Sequence, residues 1–330
     1  MKILSLGIAI ITIVLAILTK YHLEGMFENK DGTAQGVAKV RHYESLHKPS
    51  KRLYHDPFAC HMYKGSFVQA WLGEEKTKRL YDFLMKGILE LLTIRTKWYD
   101  DQIMKAIQDK NVTQMIILGA GYDTRGFRLD LPEGFSVIEV DQPTVQDLKM
   151  KKLKNISGQY ENVASRIDSG MVQFLSVNFE TNFIEEKLTE SVSHFNRNKP
   201  TIVTFEGVTQ YIPKSSTAST LTQLHKILPN ESIFLVSYVP QNVFDDPEKC
   251  GPANSVKSLL RAAKNTGEPW ISVFSPHEFK LFLDALGYTV VLDSTINELN
   301  DKYLAPLNRS LHKNEILHVE RYVLATVKRD

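Results

Sequence analysis

An apolar run that opens into two closely spaced glycines constrains this chain more than any other feature. Met115-Ile116-Ile117-Leu118 reads as a buried strand, and Gly119-Ala120-Gly121 follows it as a tight turn. Without side chains at Gly119 and Gly121, a ligand can lie against the backbone. A second apolar strand, Val137-Ile138-Glu139-Val140, ends at Asp141, 22 positions after Gly119. A carboxylate there can hold two neighbouring ribose hydroxyls. An ordinary strand and turn is the simpler account, but it has no use for an acid at that distance. The pattern therefore favours a nucleoside-binding α/β fold.

Composition narrows the class. The 330 residues suffice for one large α/β domain or two smaller ones. With 43% apolar and 24% charged residues, the chain is of the folded globular kind. A net charge of +2 and the short run Lys149–Lys154, read as a solvated helix face, argue against a nucleic-acid partner. Cys60 and Cys250 are too few and too far apart for a disulfide framework, and they fit a reducing compartment. The ten histidines show no paired ligand spacing, so no metal is expected.

The N-terminus reads separately. Ile3 to Thr19 is uncharged and almost wholly apolar, about the shortest length that spans a bilayer. Lys2 would suit a signal peptide, but no clean small-x-small cleavage site follows, and a core helix is weakened because the run shows no polar face. The expectation is a single-pass membrane anchor over 1–20, a polar linker over 21–32, and a catalytic domain over 33–330 in the cytosol.

Further along, Val37, Val40, Tyr43 and Leu46 give a helix that ends near His47, before Pro49. Leu80, Phe83, Leu84, Ile88, Leu91 and Leu92 are spaced to share one helix face within 77–105. Pro143 suits the first turn of a helix reaching Lys154. Strands are expected at 172–177, 201–205 and 233–238, with helices at 215–228 and 276–286. The last helix would be capped by Gly287. Residues 288–292 and 322–327 finish as strands, as an antiparallel pair. Residues 245–266 read as an insertion near a substrate opening.

The motifs resemble those of the leucine carboxyl methyltransferase-like family, whose members use S-adenosylmethionine. Leu118-Gly119-Ala120-Gly121-Tyr122-Asp123-Thr124-Arg125 and Glu139-Val140-Asp141-Gln142-Pro143 match its glycine and acid motifs. In order, so do Thr33-Ala34 with Val37-Ala38 and Arg41, then Asp56-Pro57-Phe58-Ala59. Arg95-Thr96-Lys97 with Asp100-Asp101 and Glu206-Gly207-Val208-Thr209-Gln210-Tyr211-Ile212-Pro213 match as well. Gly267-Glu268-Pro269-Trp270 and Glu320-Arg321-Tyr322-Val323-Leu324-Ala325 complete the series, which spans roughly 33–327.

The resemblance implies a doubly wound, Rossmann-like methyltransferase sheet with a helical lid over about 33–110. It implies that Gly119 and Gly121 line the methionine part of the cofactor and that Asp141 takes the ribose. Asn178 and Phe179 stand where relatives carry an Asp-Leu pair near the adenine, and Asn offers both a donor and an acceptor. Arg95 would fork the cofactor's carboxylate, with Arg41 as a second candidate. Glu206 would accept from its ammonium, and Tyr211 would orient the methyl acceptor. That acceptor is a small molecule or a protein carboxylate.

Two other functions compete. A nicotinamide-dependent oxidoreductase would want a third glycine where Thr124 stands. A membrane-tethered binding protein could keep the fold without catalysis, and would bind the cofactor without turnover.

Overall fold

The computed structural model describes residues 31–110, 112–193 and 195–329. Seven strands form one sheet: β1 (Gln114–Leu118), β2 (Ser136–Asp141), β3 (Val172–Ser176), β4 (Thr201–Phe205), β5 (Ile233–Tyr238), β6 (Tyr288–Thr295) and β7 (Arg321–Val327). Their spatial order is β3-β2-β1-β4-β5-β7-β6. β1 to β5 are parallel, and β7 runs antiparallel to both β5 and β6. The strand order turns back between β1 and β4, so a crevice forms at their carboxyl ends, where α/β sheets bind ligands.

The apolar runs are continuous because both faces of the sheet are covered. Met115 and Ile117 of β1 join one core cluster, with Val137, Ile202 and Leu235. Ile116 and Leu118 join the other, with Ile138, Val203 and Phe234. Successive side chains of a strand point to opposite faces, so one strand feeds both cores.

The helix Gly32–Leu46 begins at the last residue of the expected linker and ends one residue before His47. Pro143 opens the helix Pro143–Ser157. Ser275 and Glu278 form a capping box at the start of the helix Pro276–Ala285, and Gly287, at φ 83°, follows its end.

Three expectations are corrected. The apolar face expected across 77–105 is broken into two helices, Ser66–Met85 and Ile88–Lys110. Lys86 is extended, and Gly87 takes φ 87° where a Cβ would sit 2.6 Å from the Glu315 carbonyl oxygen. Ile88 and Leu91 are buried, whereas Phe83 is 86% exposed with Leu80 and Leu84 beside it. A periodic pattern cannot show that the chain turns between its halves.

The run Lys149–Lys154 is not wholly solvated. Lys149 is buried, and its ammonium pairs with Glu139 on β2. The anchored placement in the membrane is withdrawn: among the described residues, no helix is long and apolar enough to cross a membrane. The segment Ile3–Thr19 lies outside the described residues. Its apolar length is shared by many segments that never enter a bilayer, so it does not by itself carry the placement.

Candidate active site

The glycine turn follows β1 directly. Gly119 and Gly121 have φ of 63° and 47°, a left-handed region that side chains disfavour. A Cβ on Gly119 would land inside the Val208 side chain, and one on Gly121 would sit 3.2 Å from Ala34 Cβ. The turn is therefore flanked by the loop after β4 and by the helix Gly32–Leu46.

Asp141 ends β2 beside this turn. The Gly121 N–H donates to its Oδ2 at 2.5 Å and the Gln142 N–H to its Oδ1 at 2.6 Å. Burial raises the Asp141 carboxyl above its ordinary range, and those two N–H groups partly offset the rise. The acid and the turn are thus held as one unit.

Asn178 lies just past β3, on the same edge. Its Oδ1 accepts from the Glu180 N–H at 2.9 Å, closing a turn. Phe179 packs edge-on against Phe205, with centroids 5.5 Å apart.

A buried ionic network joins the remaining candidates. Arg95 Nε donates to Glu206 Oε1 at 2.9 Å, and its Nη1 donates to Glu320 Oε1 at 2.8 Å. Arg125 Nη1 donates to Glu206 Oε2 at 2.7 Å and to Asp123 Oδ2 at 2.5 Å, while its Nε donates to Asp100 Oδ1 at 2.7 Å. Arg128 forks Asp100 with bonds of 2.7 and 2.8 Å. Arg41 Nε donates to Asp56 Oδ2 at 2.8 Å, and its Nη2 donates to the Tyr122 carbonyl. Thr124 also donates to Asp56, at 2.6 Å.

Arg41 and Arg95, expected near the cofactor, are thus both engaged by carboxylates of the protein. Glu206 bridges two arginines. Burial opposes the charge on Asp123, yet Arg125, Lys149 and Arg41 hold its carboxyl well below the usual range. Burial also opposes Asp56, which Arg41 and Arg128 keep low. For Glu320 burial wins over Arg95, and its carboxyl is raised.

Sequence reasoning gave no role to Arg125, Asp123, Asp100, Arg128, Asp56 or Glu320. All but Arg128 stand inside the quoted motif segments, which was the available signal. Their purpose shows only when four segments distant in sequence converge.

Tyr211 closes the short 3-10 turn Thr209–Tyr211 after β4 and is half-buried. It lies within electrostatic reach of Glu268, Arg95 and Glu320. Burial pushes its hydroxyl up to about 12, so it stays protonated near neutral pH. Gly207 sits between this turn and Glu206 at φ 64°, where a Cβ would come 2.9 Å from Arg95 Nη1.

The chain is 28% identical over 206 residues to YktD of Bacillus subtilis, whose name proposes an S-adenosyl-L-methionine-dependent methyltransferase. That match covers 62% of this chain and 63% of YktD. A Mycobacterium marinum protein named in the same way is 25% identical over 245 residues, covering 72% of this chain and 73% of its own length.

Among solved structures, a DUF574 family protein from Streptomyces avermitilis superimposes with a TM-score of 0.55 at 12% identity, over 88% of this chain and 97% of its own. A Thermobifida fusca protein whose title proposes a methyltransferase gives 0.54 at 12% identity, over 88% and 94%. The leucine carboxyl methyltransferase family profile matches residues 34–225. With its glycine turn, Asp141 and the converging motif residues, the chain belongs to the leucine carboxyl methyltransferase family of S-adenosylmethionine-dependent methyltransferases.

Proposed function

We propose that this protein transfers a methyl group from S-adenosylmethionine to an oxygen atom of a small-molecule acceptor or a protein carboxylate. The observation that carries the reading is the Asp141 carboxylate bonded to the Gly121 N–H, on the ligand-binding edge of the sheet. The residues present fit the cofactor. The glycine turn brings backbone close beside Asp141, and its left-handed φ angles disfavour any side chain there. The adjoining network holds five carboxylates, Asp56, Asp100, Asp123, Glu206 and Glu320, against four arginines, a balance suited to a cationic sulfonium.

When bound, the cofactor supplies a methyl group open to in-line displacement. The chain's own residues would position and dehydrate the reactants. Asp141 would accept from the ribose hydroxyls, and Asn178 and Phe179 would flank the adenine. Glu206 would exchange an arginine bond for the cofactor's ammonium. Arg95 and Arg41 would hold the shape of the methionine site through Glu206, Glu320 and Asp56. Tyr211 would donate a hydrogen bond that aligns the acceptor oxygen. A carboxylate acceptor needs no base, which agrees with the protonated Tyr211.

Calorimetric titration of the purified protein tests the cofactor. S-adenosylmethionine and S-adenosylhomocysteine should bind, and NADH and NADPH should not. Binding of a nicotinamide dinucleotide without a response to S-adenosylmethionine would reject the proposal. Methyl-labelled cofactor with panels of hydroxyl and carboxylate acceptors then separates the two oxygen chemistries.

A further inference from the structure

A cavity lies on the ligand-binding edge of the sheet, away from the glycine turn. β7 runs antiparallel to β5 and β6, so Arg321 at its start pairs with Tyr238 at the end of β5 and with Thr295 at the end of β6. These ends meet at a cavity of about 580 Å³, a size suited to a small molecule. Its wall reaches the ionic network. Glu320 lines the cavity and is bonded to Arg95, which is bonded to Glu206 after β4.

His318 lines the same cavity, two residues before Glu320. Its backbone N–H donates to the Cys250 carbonyl at 2.8 Å, which fixes the segment. One ring N–H is directed at the Lys313 carbonyl, and the ring has no other partner among the described residues. Burial holds the ring below the ordinary histidine range, so near neutral pH its second nitrogen is an unshared acceptor.

The charges on the wall disfavour an acidic ligand. Lys249 is paired with Asp246 at 2.6 Å, Arg321 with Asp293 at 3.0 Å, and Glu320 with Arg95 at 2.8 Å. Asp245 accepts from the Gln241 amide at 3.1 Å and has no cationic partner among the described residues. The charge left uncompensated on the wall is therefore negative, and it would repel a carboxylate.

We propose that this cavity holds the methyl acceptor, that the acceptor is a neutral hydroxyl compound, and that His318 is its general base. The inference rests on the methyltransferase reading and narrows it from two oxygen chemistries to one. The acceptor oxygen bonds to the methyl carbon as the methyl–sulfur bond breaks, with its electron pair left on sulfur. The hydroxyl proton passes to the free ring nitrogen of His318.

The test uses the full chain as wild type, Asn242→Trp and His318→Gln, with folding checked by circular dichroism. Asn242 lines the cavity and is otherwise exposed, so tryptophan there fills space outside the core. Glutamine at 318 keeps a donor for the Lys313 carbonyl and cannot take up a proton. Saturation-transfer NMR without cofactor compares phenol, catechol and cyclohexanol with benzoate and cyclohexanecarboxylate. The hydroxyl fragments should bind wild type, the carboxylates should not, and Asn242→Trp should lose the hydroxyl signal. Methyl-labelled S-adenosylmethionine with a panel of hydroxyl acceptors gives the second readout. His318→Gln should lower kcat about a hundredfold at similar KM, and remove the fall of wild-type kcat toward acid pH. Carboxylate binding, no hydroxyl binding, or hydroxyl binding that survives Asn242→Trp overturns the proposal, as does an unaltered kcat and acid limb in His318→Gln. Calorimetry with S-adenosylhomocysteine separates the two readings. If wild type does not bind it, the methyltransferase reading and the acceptor role fall together; if it binds while the fragments do not, only the cavity proposal falls.

Discussion

Asp141 pins the glycine turn through the Gly121 N–H, and under the proposed function the same carboxylate would also take the ribose hydroxyls. Asp141→Asn keeps the shape and removes the charge. Each hydrogen bond to a charged acceptor contributes about 1.5–3 kcal/mol, so cofactor affinity should fall roughly tenfold to hundredfold by calorimetry. Thermal unfolding should still be cooperative; an unchanged affinity would mark the residue as structural.

Two positions earlier, Glu139 faces into the protein and meets Lys149. Burial raises the Glu139 carboxyl to about 7, against the pull of Lys149. The folded state then binds this proton more tightly than the unfolded state. Its contribution to stability is complete below the ordinary glutamate range and is lost as pH rises through about 7. Between about pH 5 and 8, the urea midpoint of wild type should decline relative to that of Glu139→Gln. Parallel curves would show that Lys149 keeps Glu139 ionised throughout.

At the level of elements, the loop after β4 depends on backbone freedom at Gly207. Its left-handed φ and the Arg95 guanidinium against it leave no room for a side chain. Gly207→Ala should destabilise the protein by about 1–2 kcal/mol from the backbone alone. It should also weaken cofactor binding, because Arg95 must move off Glu206. A Tm loss without any affinity loss would separate Arg95 from the site.

The helix Pro276–Ala285 offers a control far from that chemistry. Ser275→Ala removes the Ser275 hydroxyl that accepts from the Glu278 N–H, at a cost of about 1 kcal/mol, and should leave affinity untouched. Elements also mark where periodicity misled. Leu80 and Leu91 are correctly spaced for one helix face, but Gly87 turns the chain between them, and only the fold shows that turn occupied by the Glu315 carbonyl.

For the whole molecule, the crevice is built from both ends of the chain. The helix Gly32–Leu46, the turn after β1, the loop after β4 and Glu320 before β7 all meet there. A ligand bound to the folded state alone should therefore stabilise the molecule as a unit. S-adenosylhomocysteine at a hundredfold excess over its Kd should add about 2.7 kcal/mol to unfolding, seen as a single shifted thermal transition. A second, unshifted transition would show that part of the chain unfolds independently of the site.

What the sequence determined by itself was local or strictly periodic. β1, the glycine turn and the acid at the end of β2 are each specified within a few residues, because strand burial and positive φ leave visible residue choices. The strands expected over 288–292 and 322–327 are present as β6 and β7, and they pair antiparallel. Tertiary structure alone decided which charges meet. Arg95 could read as a fork for a ligand carboxylate until Glu206 and Glu320 were brought to it. Lys149 could read as solvated until Glu139 stood opposite. A charged residue carries no mark of its partner, because the partner is selected by distance in the fold and not by distance along the chain.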